Sequence, residues 1–332
     1  MKLRAIVPSL LMISAALAAQ PRQIRLGPAD SSPDVFSRIV DARELADGRV
    51  VIADRRERRL AVVSFSGAPA RAIQGVGSGT LIRMDGDSTA LIEASSGRWV
   101  MLKGSEVVGM MSPVNITVRL TPFPIGITPL HAYGFVFPPG GLGATTHDTM
   151  ALTRVSRGGG GVDTIALVAA PNASRSSDSS LAPKVYTVNI SLGPRTAGEQ
   201  ASVFPDGWTA MARLRPYRVD WIDPSGRLRP GQPLLAESQD SLPPFTTISP
   251  ILADLAPALK QGPAGELLIR RWSNASNSEQ RYDVVDRTGQ LVSQIVLPPR
   301  ETLVAIGKAH VYTVKTGEDG KDRLRRYVWP TR

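Results

Sequence analysis

Short runs of alternating apolar and polar residues dominate the chain, and most of them end at a turn rich in Asp and Gly. The clearest example is RYDVVDRTGQLVSQIVLP at residues 281–298, in which two alternating strands flank the turn Asp286–Gly289. Imperfect copies of this unit recur roughly every 40 to 60 residues, a period typical of solenoids, propellers and arrays. The pattern predicts an all-β fold built from repeated meanders.

Six copies of the unit can be recognised by the turn that opens each one. These turns are Asp47–Gly48, Gly86–Asp87, His147–Asp148, Asp206–Gly207, Ala264–Gly265 and Gly307. The third copy departs from the pattern, with an insertion at residues 172–183 and no Asp-x-x-Gly turn. One further stretch, 249–262, has apolar residues at helical rather than strand spacing and predicts a short helix packed on the sheets.

The segments DGRVVIAD, YRVDWIDPSG and YDVVDRTGQLV resemble the six-bladed β-propellers of the NHL-repeat-like group found in secreted bacterial proteins. The resemblance covers nearly all of the chain after its first residues. It implies six four-stranded antiparallel blades, in which the Asp-x-x-Gly turn joins the third strand to the fourth. The last copy has only three evident strands, so we expect the N-terminal segment Arg22–Leu26 to supply its fourth. This closing strand would remove exposed sheet edges and join the two ends of the chain.

The first residues have the three-part build of a secretory signal peptide. Lys2 and Arg4 precede an apolar run, and Ala16–Ala18 forms a small-residue cleavage site. The run is too short to span a membrane as a helix. We therefore expect residues 1–19 to be a signal peptide and residues 20–332 a single propeller domain, exported to the periplasm or secreted and not membrane-spanning after cleavage.

Composition narrows the function classes only partly. The chain has no cysteine, so a hydrophobic core rather than disulfides must hold the exported domain together. The formal charge of +10, from 39 basic and 29 acidic residues, falls to +8 once Lys2 and Arg4 are removed, and this surplus favours an anionic surface as a partner. The arginines are scattered and only seven Phe are present, which does not favour nucleic acid.

Motifs for catalysis are sparse. The chain has three histidines, and none has the spacing of a zinc site. No Gly-x-Ser-x-Gly elbow occurs, and the glycine run 158–161 lacks the Lys and Ser/Thr of a phosphate-binding loop.

Calcium is the alternative that the resemblance raises, because similar six-bladed folds include lactonases and related hydrolases that hold this ion in the central tunnel with Glu, Asn and Asp. Hard oxygen ligands are those that calcium prefers. The candidates by residue type are Glu44, Asp54, Glu93, Asn115 and Asp220. The sequence does not show which of them face a tunnel.

Three arginines and one tryptophan are candidates for ligand binding. Arg154, Arg213 and Arg270 follow their turns at similar spacings in successive copies, which would place them in a ring. If that ring lines the tunnel, it forms an anion-binding site. Trp208 directly follows the Asp206–Gly207 turn, where its side chain could face a ligand.

These observations favour an exported, non-catalytic binding or scaffold propeller without a cofactor, which recognises a protein, peptide or carbohydrate ligand through one face. The alternative is a calcium-dependent hydrolase or lactonase with the metal in the central tunnel.

Overall fold

The computed structural model describes residues 21–96, 98–111, 125–136, 149–158, 161–169, 199–214, 216–234, 259–271 and 279–330. Within these ranges every regular element is a β-strand. The predicted signal peptide, residues 1–19, lies outside them. The described part of the chain includes no helix with the length and apolar character needed to cross a bilayer.

The strands form six sheets that follow one another along the chain, which confirms the six-bladed β-propeller. Two N-terminal strands come first: β1 (Gln23–Arg25) and β2 (Asp30–Ser31). Blade 1 contains β3 (Ile39–Glu44), β4 (Val50–Asp54), β5 (Arg59–Val63) and β6 (Arg71–Ile73). Blade 2 contains β7 (Gly79–Arg83), β8 (Ser88–Glu93), β9 (Trp99–Lys103) and β10 (Glu106–Met111). Blade 3 contains β11 (Gly126–Ile127), β12 (His131–Val136), β13 (Thr149–Ser156) and β14 (Val162–Ala169).

The remaining blades have the same plan. Blade 4 contains β15 (Gln200–Val203), β16 (Thr209–Leu214), β17 (Tyr217–Ile222) and β18 (Leu228–Arg229). Blade 5 contains β19 (Leu259–Gln261), β20 (Leu267–Arg270), β21 (Arg281–Val285) and β22 (Leu291–Val296). Blade 6 contains β23 (Glu301–Ile306), β24 (His310–Thr316) and β25 (Asp322–Val328), completed by β2. Within each blade, successive strands pair in antiparallel fashion.

The Asp-x-x-Gly turns join the third strand to the fourth, as predicted, and their geometry explains the motif. Oδ1 of Asp286 accepts the N–H of Thr288 at 2.9 Å and that of Gln290 at 3.1 Å. Gly289 closes the turn at a φ of 80°, a left-handed conformation that glycine adopts without steric cost. Asp223 repeats these bonds in blade 4, where it accepts the N–H groups of Ser225 and Arg227. The aspartate carboxylate therefore accepts hydrogen bonds from backbone N–H groups that find no backbone acceptor in a tight turn.

The first strand of every blade lies innermost, and each contacts the first strand of the next blade. β3 contacts β7, β7 contacts β11, and the series continues through β15, β19 and β23 back to β3. These six strands enclose a central tunnel. Apolar side chains fill the spaces between blades, including Phe36, Ile52 and Tyr312 between blades 6 and 1 and Trp221 with Ile269 between blades 4 and 5.

An N-terminal strand does close the last blade, but it is not the segment we predicted. Asp30–Ser31 pairs with Arg325 and Arg326 of β25, and Ser32 N–H donates to the carbonyl of Leu324 at 2.9 Å. The predicted segment Arg22–Leu26 instead supplies β1, which runs parallel to β22 along the outer edge of blade 5. The N-terminal residues thus cover edges of two blades.

Two other predictions are wrong in the part of the chain that the structure describes. The run after His147–Asp148, expected to be a second strand, is β13, the third strand of blade 3, because β11 and β12 precede it; the turn itself lies outside the described residues. Of the predicted helix at 249–262, residues 249–258 lie outside the described ranges. Its end, Leu259–Gln261, is the innermost strand of blade 5, where it pairs with β20.

Candidate functional site

The central tunnel contains a cavity of about 270 Å³ bounded by the innermost strands. Much of its lining is apolar, with Leu81, Ile82, Val203, Leu259 and Val304 among the residues that face it. A cavity of this size can hold water molecules or a small ligand.

An ion pair between blades 5 and 1 lies in the tunnel. Lys260 Nζ of blade 5 lies 3.2 Å from Oδ1 of Asp41 in blade 1, and it also donates to the carbonyl of Val304 in blade 6 at 2.6 Å. Asp41 accepts the N–H groups of Leu81 at 2.9 Å and Ala42 at 3.0 Å. Both charged side chains therefore have partners within the protein. The pair connects blades 5 and 1, which lie on either side of blade 6, the blade that β2 completes.

Arg43, which also borders the tunnel, directs its guanidinium group into blade 2. There it donates to the carbonyls of Ser88 and Gly86 and to the hydroxyl of Thr89. Burial lowers the pKa of Arg43 to about 10, so the side chain stays protonated near neutral pH. Its observed contacts connect blades 1 and 2.

The carboxylates predicted as calcium ligands lie apart. Glu44 lies between blades 1 and 6, where its Oε1 accepts the hydroxyl of Tyr312 at 2.6 Å and lies 2.9 Å from His310 Nδ1. Asp54 is fully buried at the end of β4 and accepts the N–H groups of Ser37 at 2.9 Å and Arg38 at 3.1 Å.

Glu93 and Asp220 are held by arginines. Glu93 accepts hydrogen bonds from Arg98 Nε at 2.6 Å and from Gly77 N–H at 2.7 Å, and the bond from Arg98 is the main reason that its pKa falls to about 2. Burial alone would raise the pKa of Asp220, but hydrogen bonds from Arg218 and Arg213 outweigh it and lower the pKa.

These four carboxylates do not fit a common calcium ion, because each is bonded to a different set of protein donors in a different part of the ring. Asn115, the fifth candidate, lies outside the described residues. Across the residues that the structure does describe, no three Asp, Glu or His side chains are grouped so that they could hold a metal.

The three predicted arginines occupy two different strand positions. Arg213 on β16 and Arg270 on β20 belong to second strands, whereas Arg154 on β13 belongs to a third strand. Of the residues described, those that line the tunnel cavity do not include any of the three. The structure therefore does not bring them together as a tunnel ring.

Their contacts differ accordingly. Arg213 is partly buried and bonds Asp220 at 2.9 Å, Glu199 at 2.5 Å and the carbonyl of Leu167 in blade 3 at 2.7 Å. Arg270 lies opposite Tyr282 in the pairing of β20 with β21. Whether they bind a ligand remains a prediction, although the bonds of Arg213 are those of a residue that joins two blades.

Trp208 lies on the face formed by the turns between first and second strands and between third and fourth strands. Its ring is half-buried and meets Trp221 edge to face, with ring centroids 6.3 Å apart. Two guanidinium groups lie over it: Cζ of Arg229 is 4.8 Å from the ring centroid and Cζ of Arg287 is 5.1 Å away. The tryptophan ring thus contacts two cations.

Both cations are also anchored by aspartates of the turns. Arg287 Nη2 donates to Oδ2 of Asp206 at 2.5 Å, and Arg229 Nη2 donates to Oδ2 of Asp223 at 3.3 Å. The Arg287 guanidinium packs on Gly265 of blade 5, where a Cβ atom would lie 2.6 Å from its Nε. The side chain of Arg287 is 32% exposed and that of Arg229 is 55% exposed, so solvent reaches both.

Arg154 extends this group of residues to blade 3. Its Nη1 donates to the carbonyl of Pro224 at 3.1 Å, and Pro224 packs next to Gly207, which directly precedes Trp208. We call the surface formed by Arg154, Trp208, Arg229 and Arg287 the arginine–tryptophan surface. It spans blades 3 to 5 and contains two of the four ligand-binding candidates.

Arg229 and Arg287 were missed in the sequence, although a signal for them exists. Arg287 is the second residue of the Asp286–Gly289 turn, and Arg229 follows the equivalent turn of blade 4 by three residues. Since these turns lie side by side in adjacent blades, arginines in and beside them face the same region of the surface. Lys260 was missed because it was placed in the predicted helix.

Comparisons with known proteins identify no family. No family model matches the chain, and no curated protein matches it. Among solved structures, the calcium-binding protein regucalcin from Agrobacterium tumefaciens matches with a TM-score of 0.41 and 10% identity, over 93% of this chain and 97% of that one. Virginiamycin B lyase from Staphylococcus aureus has a TM-score of 0.42 and 11% identity, over 91% and 99%. A protein of unknown function from Bacteroides thetaiotaomicron has a TM-score of 0.44 and 12% identity, over 91% and 73%. At these values the likenesses carry no argument about function.

Proposed function

We propose that the chain is an exported binding or scaffold propeller that recognises a protein, peptide or carbohydrate ligand through one face, without catalysis and without a cofactor. The observation that carries the proposal is the arginine–tryptophan surface. It places a half-buried tryptophan beside the exposed Arg229 and the partly exposed Arg287, and the bond of Arg154 to Pro224 continues this face to a third blade. Trp and Arg are the residue types that contribute most to binding at protein interfaces.

The arrangement of the carboxylates supports a binding role over the calcium-dependent hydrolase or lactonase. The described carboxylates of the predicted metal set accept hydrogen bonds from backbone or side-chain donors of the protein. The tunnel acid Asp41 is likewise bonded to Lys260 and to two backbone N–H groups. The pattern of residues 1–19 supports export to the periplasm or beyond.

Array binding with matched variants tests this function. The mature chain, the surface variant R229A/R287A and the control R71A/R323A are applied to peptide and glycan arrays. Arg71 and Arg323 are exposed residues of blades 1 and 6, so both variants lose two positive charges. We expect the wild type and the control to retain the same ligands and the surface variant to lose them. Identical binding by all three proteins would refute a role for this face.

A further inference from the structure

We propose that the arginine–tryptophan surface binds the carboxylate side chains of an acidic peptide segment, with Arg229 and Arg287 as the carboxylate-binding residues and Trp208 as the residue that positions them. This inference rests on the proposed function and specifies its ligand.

The first argument is preorganisation. Each guanidinium group lies over the same indole ring, at 4.8 and 5.1 Å, and Trp208 itself is fixed against Trp221. The side-chain entropy of a long arginine is thus partly lost before a ligand arrives. A carboxylate that binds to such a group loses less affinity to ordering than it would at a free surface arginine.

The second argument is donor capacity. A guanidinium group carries five N–H donors, and its planar edge can bond both oxygens of a carboxylate. The bonds that Arg229 and Arg287 make to the described residues use one nitrogen each, and the bond of Arg229 to Asp223 is long at 3.3 Å. Nε of Arg287 is buried, so the terminal Nη1–Nη2 edge is the part of this guanidinium group that can bond a ligand carboxylate. Arg229 is more exposed, and in both residues the aspartates keep the side chains in place.

The third argument concerns the kind of macromolecule. Sugars and nucleic-acid bases commonly bind by stacking on an open aromatic face. The ring of Trp208 has guanidinium groups over it instead. An apolar residue, Leu228, directly precedes Arg229 in the chain on the outer strand of blade 4 and is 48% exposed. Every basic residue in the turns of this region is arginine rather than lysine, a composition typical of protein interfaces. A peptide with acidic and apolar residues fits these features better than a polysaccharide does.

The fourth argument is extent. The bond from Arg154 to the carbonyl of Pro224 continues the surface from blade 4 to blade 3, and Arg287 extends it to blade 5. Arg154 is 18% exposed and pairs with Asp163 at 3.2 Å, so Arg229 and Arg287 are the two cations that a peptide meets first. An extended peptide that crosses the three blades can therefore meet more than one cation. We expect its affinity to depend on several carboxylates and to fall as salt increases, because exposed charges are screened.

Fluorescence anisotropy with a labelled synthetic peptide of alternating Glu and Leu tests the proposal. We expect the wild-type chain and R71A/R323A to bind this probe within twofold of each other, and R229A/R287A to bind it at least about tenfold more weakly. W208A should bind several-fold more weakly, because its arginines lose their support. A matched peptide with Gln in place of Glu should not bind.

A lysine variant separates geometry from charge. R229K/R287K keeps both positive charges without the planar donor edge, and its milder changes guard against misfolding of the alanine variant. We expect it to lose most of the binding, since lysine cannot make the paired bonds. Wild-type binding by this variant would overturn bidentate recognition.

The remaining outcomes also decide the question. Equal losses in both alanine variants would show that overall charge alone attracts the probe, and would overturn the proposal. It would equally be overturned if the Glu peptide failed to bind while a sulfated polysaccharide bound in a manner that required Arg229 and Arg287. Surface-dependent array binding of uncharged ligands would leave the proposed function intact and refute only the acidic peptide. Array binding that does not require the surface would refute both.

Discussion

The ion pair across the tunnel gives a direct test of how the ring is held together. Replacing Lys260 with Met removes the positive partner of Asp41 and the donor to the carbonyl of Val304. At 3.2 Å, two unit charges attract by about 5 kcal/mol at an effective dielectric constant of about 20. Desolvation offsets part of this attraction, and removing one partner of a fully buried pair costs about 3–5 kcal/mol.

We expect a smaller loss here, of about 2 kcal/mol. The side chains of Lys260 and Asp41 are 12% and 11% exposed, and the cavity beside them can admit water. Asp41 also retains its two hydrogen bonds from backbone N–H groups in the variant. Urea unfolding of K260M measures the loss, and K315M is the control because Lys315 is an exposed residue of blade 6 that should change stability by less than about 0.5 kcal/mol.

A double-mutant cycle then isolates the interaction. D41N and D41N/K260M complete the cycle, and we expect a coupling energy of about 1 kcal/mol or more between the two positions. If K260M matches K315M in stability, or if the coupling energy is near zero, Lys260 and Asp41 do not join blades 5 and 1 as we describe.

Three further predictions concern other parts of the ring. The pKa of Glu93 is lowered from 4.5 to about 2, so its ionisation contributes stability above pH 4.5 that is lost as pH falls toward 2. Acid unfolding of E93Q should therefore show a shallower loss of stability between pH 4.5 and 2. A pH profile identical to that of the wild type would contradict this. Y217F removes a 2.7 Å hydrogen bond to the buried Asp283 and should cost about 1 kcal/mol in urea unfolding, whereas no loss would show that the bond contributes nothing. Deleting residues 20–32 removes both N-terminal strands and should lower the thermal unfolding temperature more than deleting residues 20–27, which spares β2; equal effects would argue against β2 as the closing strand.

The sequence predicts the fold well because the repeated unit has a local physical cause. Asp223 and Asp286 each bond the backbone of their own turn, and the strands beside them alternate as the pleat requires. Local turns can be recognised in a single sequence. The number of blades was predicted from the six opening turns, and the position of the Asp-x-x-Gly turns from the resemblance to other propellers.

The errors occur where this local signal is weak. The innermost strand of blade 3, Gly126–Ile127, is only two residues long and shows no periodicity, so the next recognisable strand was assigned one position too early. Leu259 lies at helical spacing from the apolar residues before it, yet the pairing of Leu259–Gln261 with β20 makes it a strand. Pairing between these neighbouring strands depends on their packing inside the ring, which the spacing of apolar residues along one segment does not show.

The candidate site was predictable only in part, for a related reason. Trp208 and Arg154 lie on one surface, as residues beside turns can, and the turn positions of Arg229 and Arg287 indicate the same surface once the blades are placed side by side. The contacts of both guanidinium groups with the Trp208 ring depend on side-chain packing that the sequence does not show. The carboxylates proposed as metal ligands were chosen by residue type. In the structure Asp54 bonds the backbone that leads into its blade, and Glu93 bonds Arg98.

The most direct test of the central claim is a crystal structure of the mature chain with the Glu–Leu peptide bound. We predict peptide carboxylate oxygens within about 3 Å of guanidinium nitrogens of Arg229 and Arg287, with the ion pair of Asp41 and Lys260 unchanged. A peptide bound in the tunnel in place of that pair, or on blades 1, 2 and 6, would contradict the account.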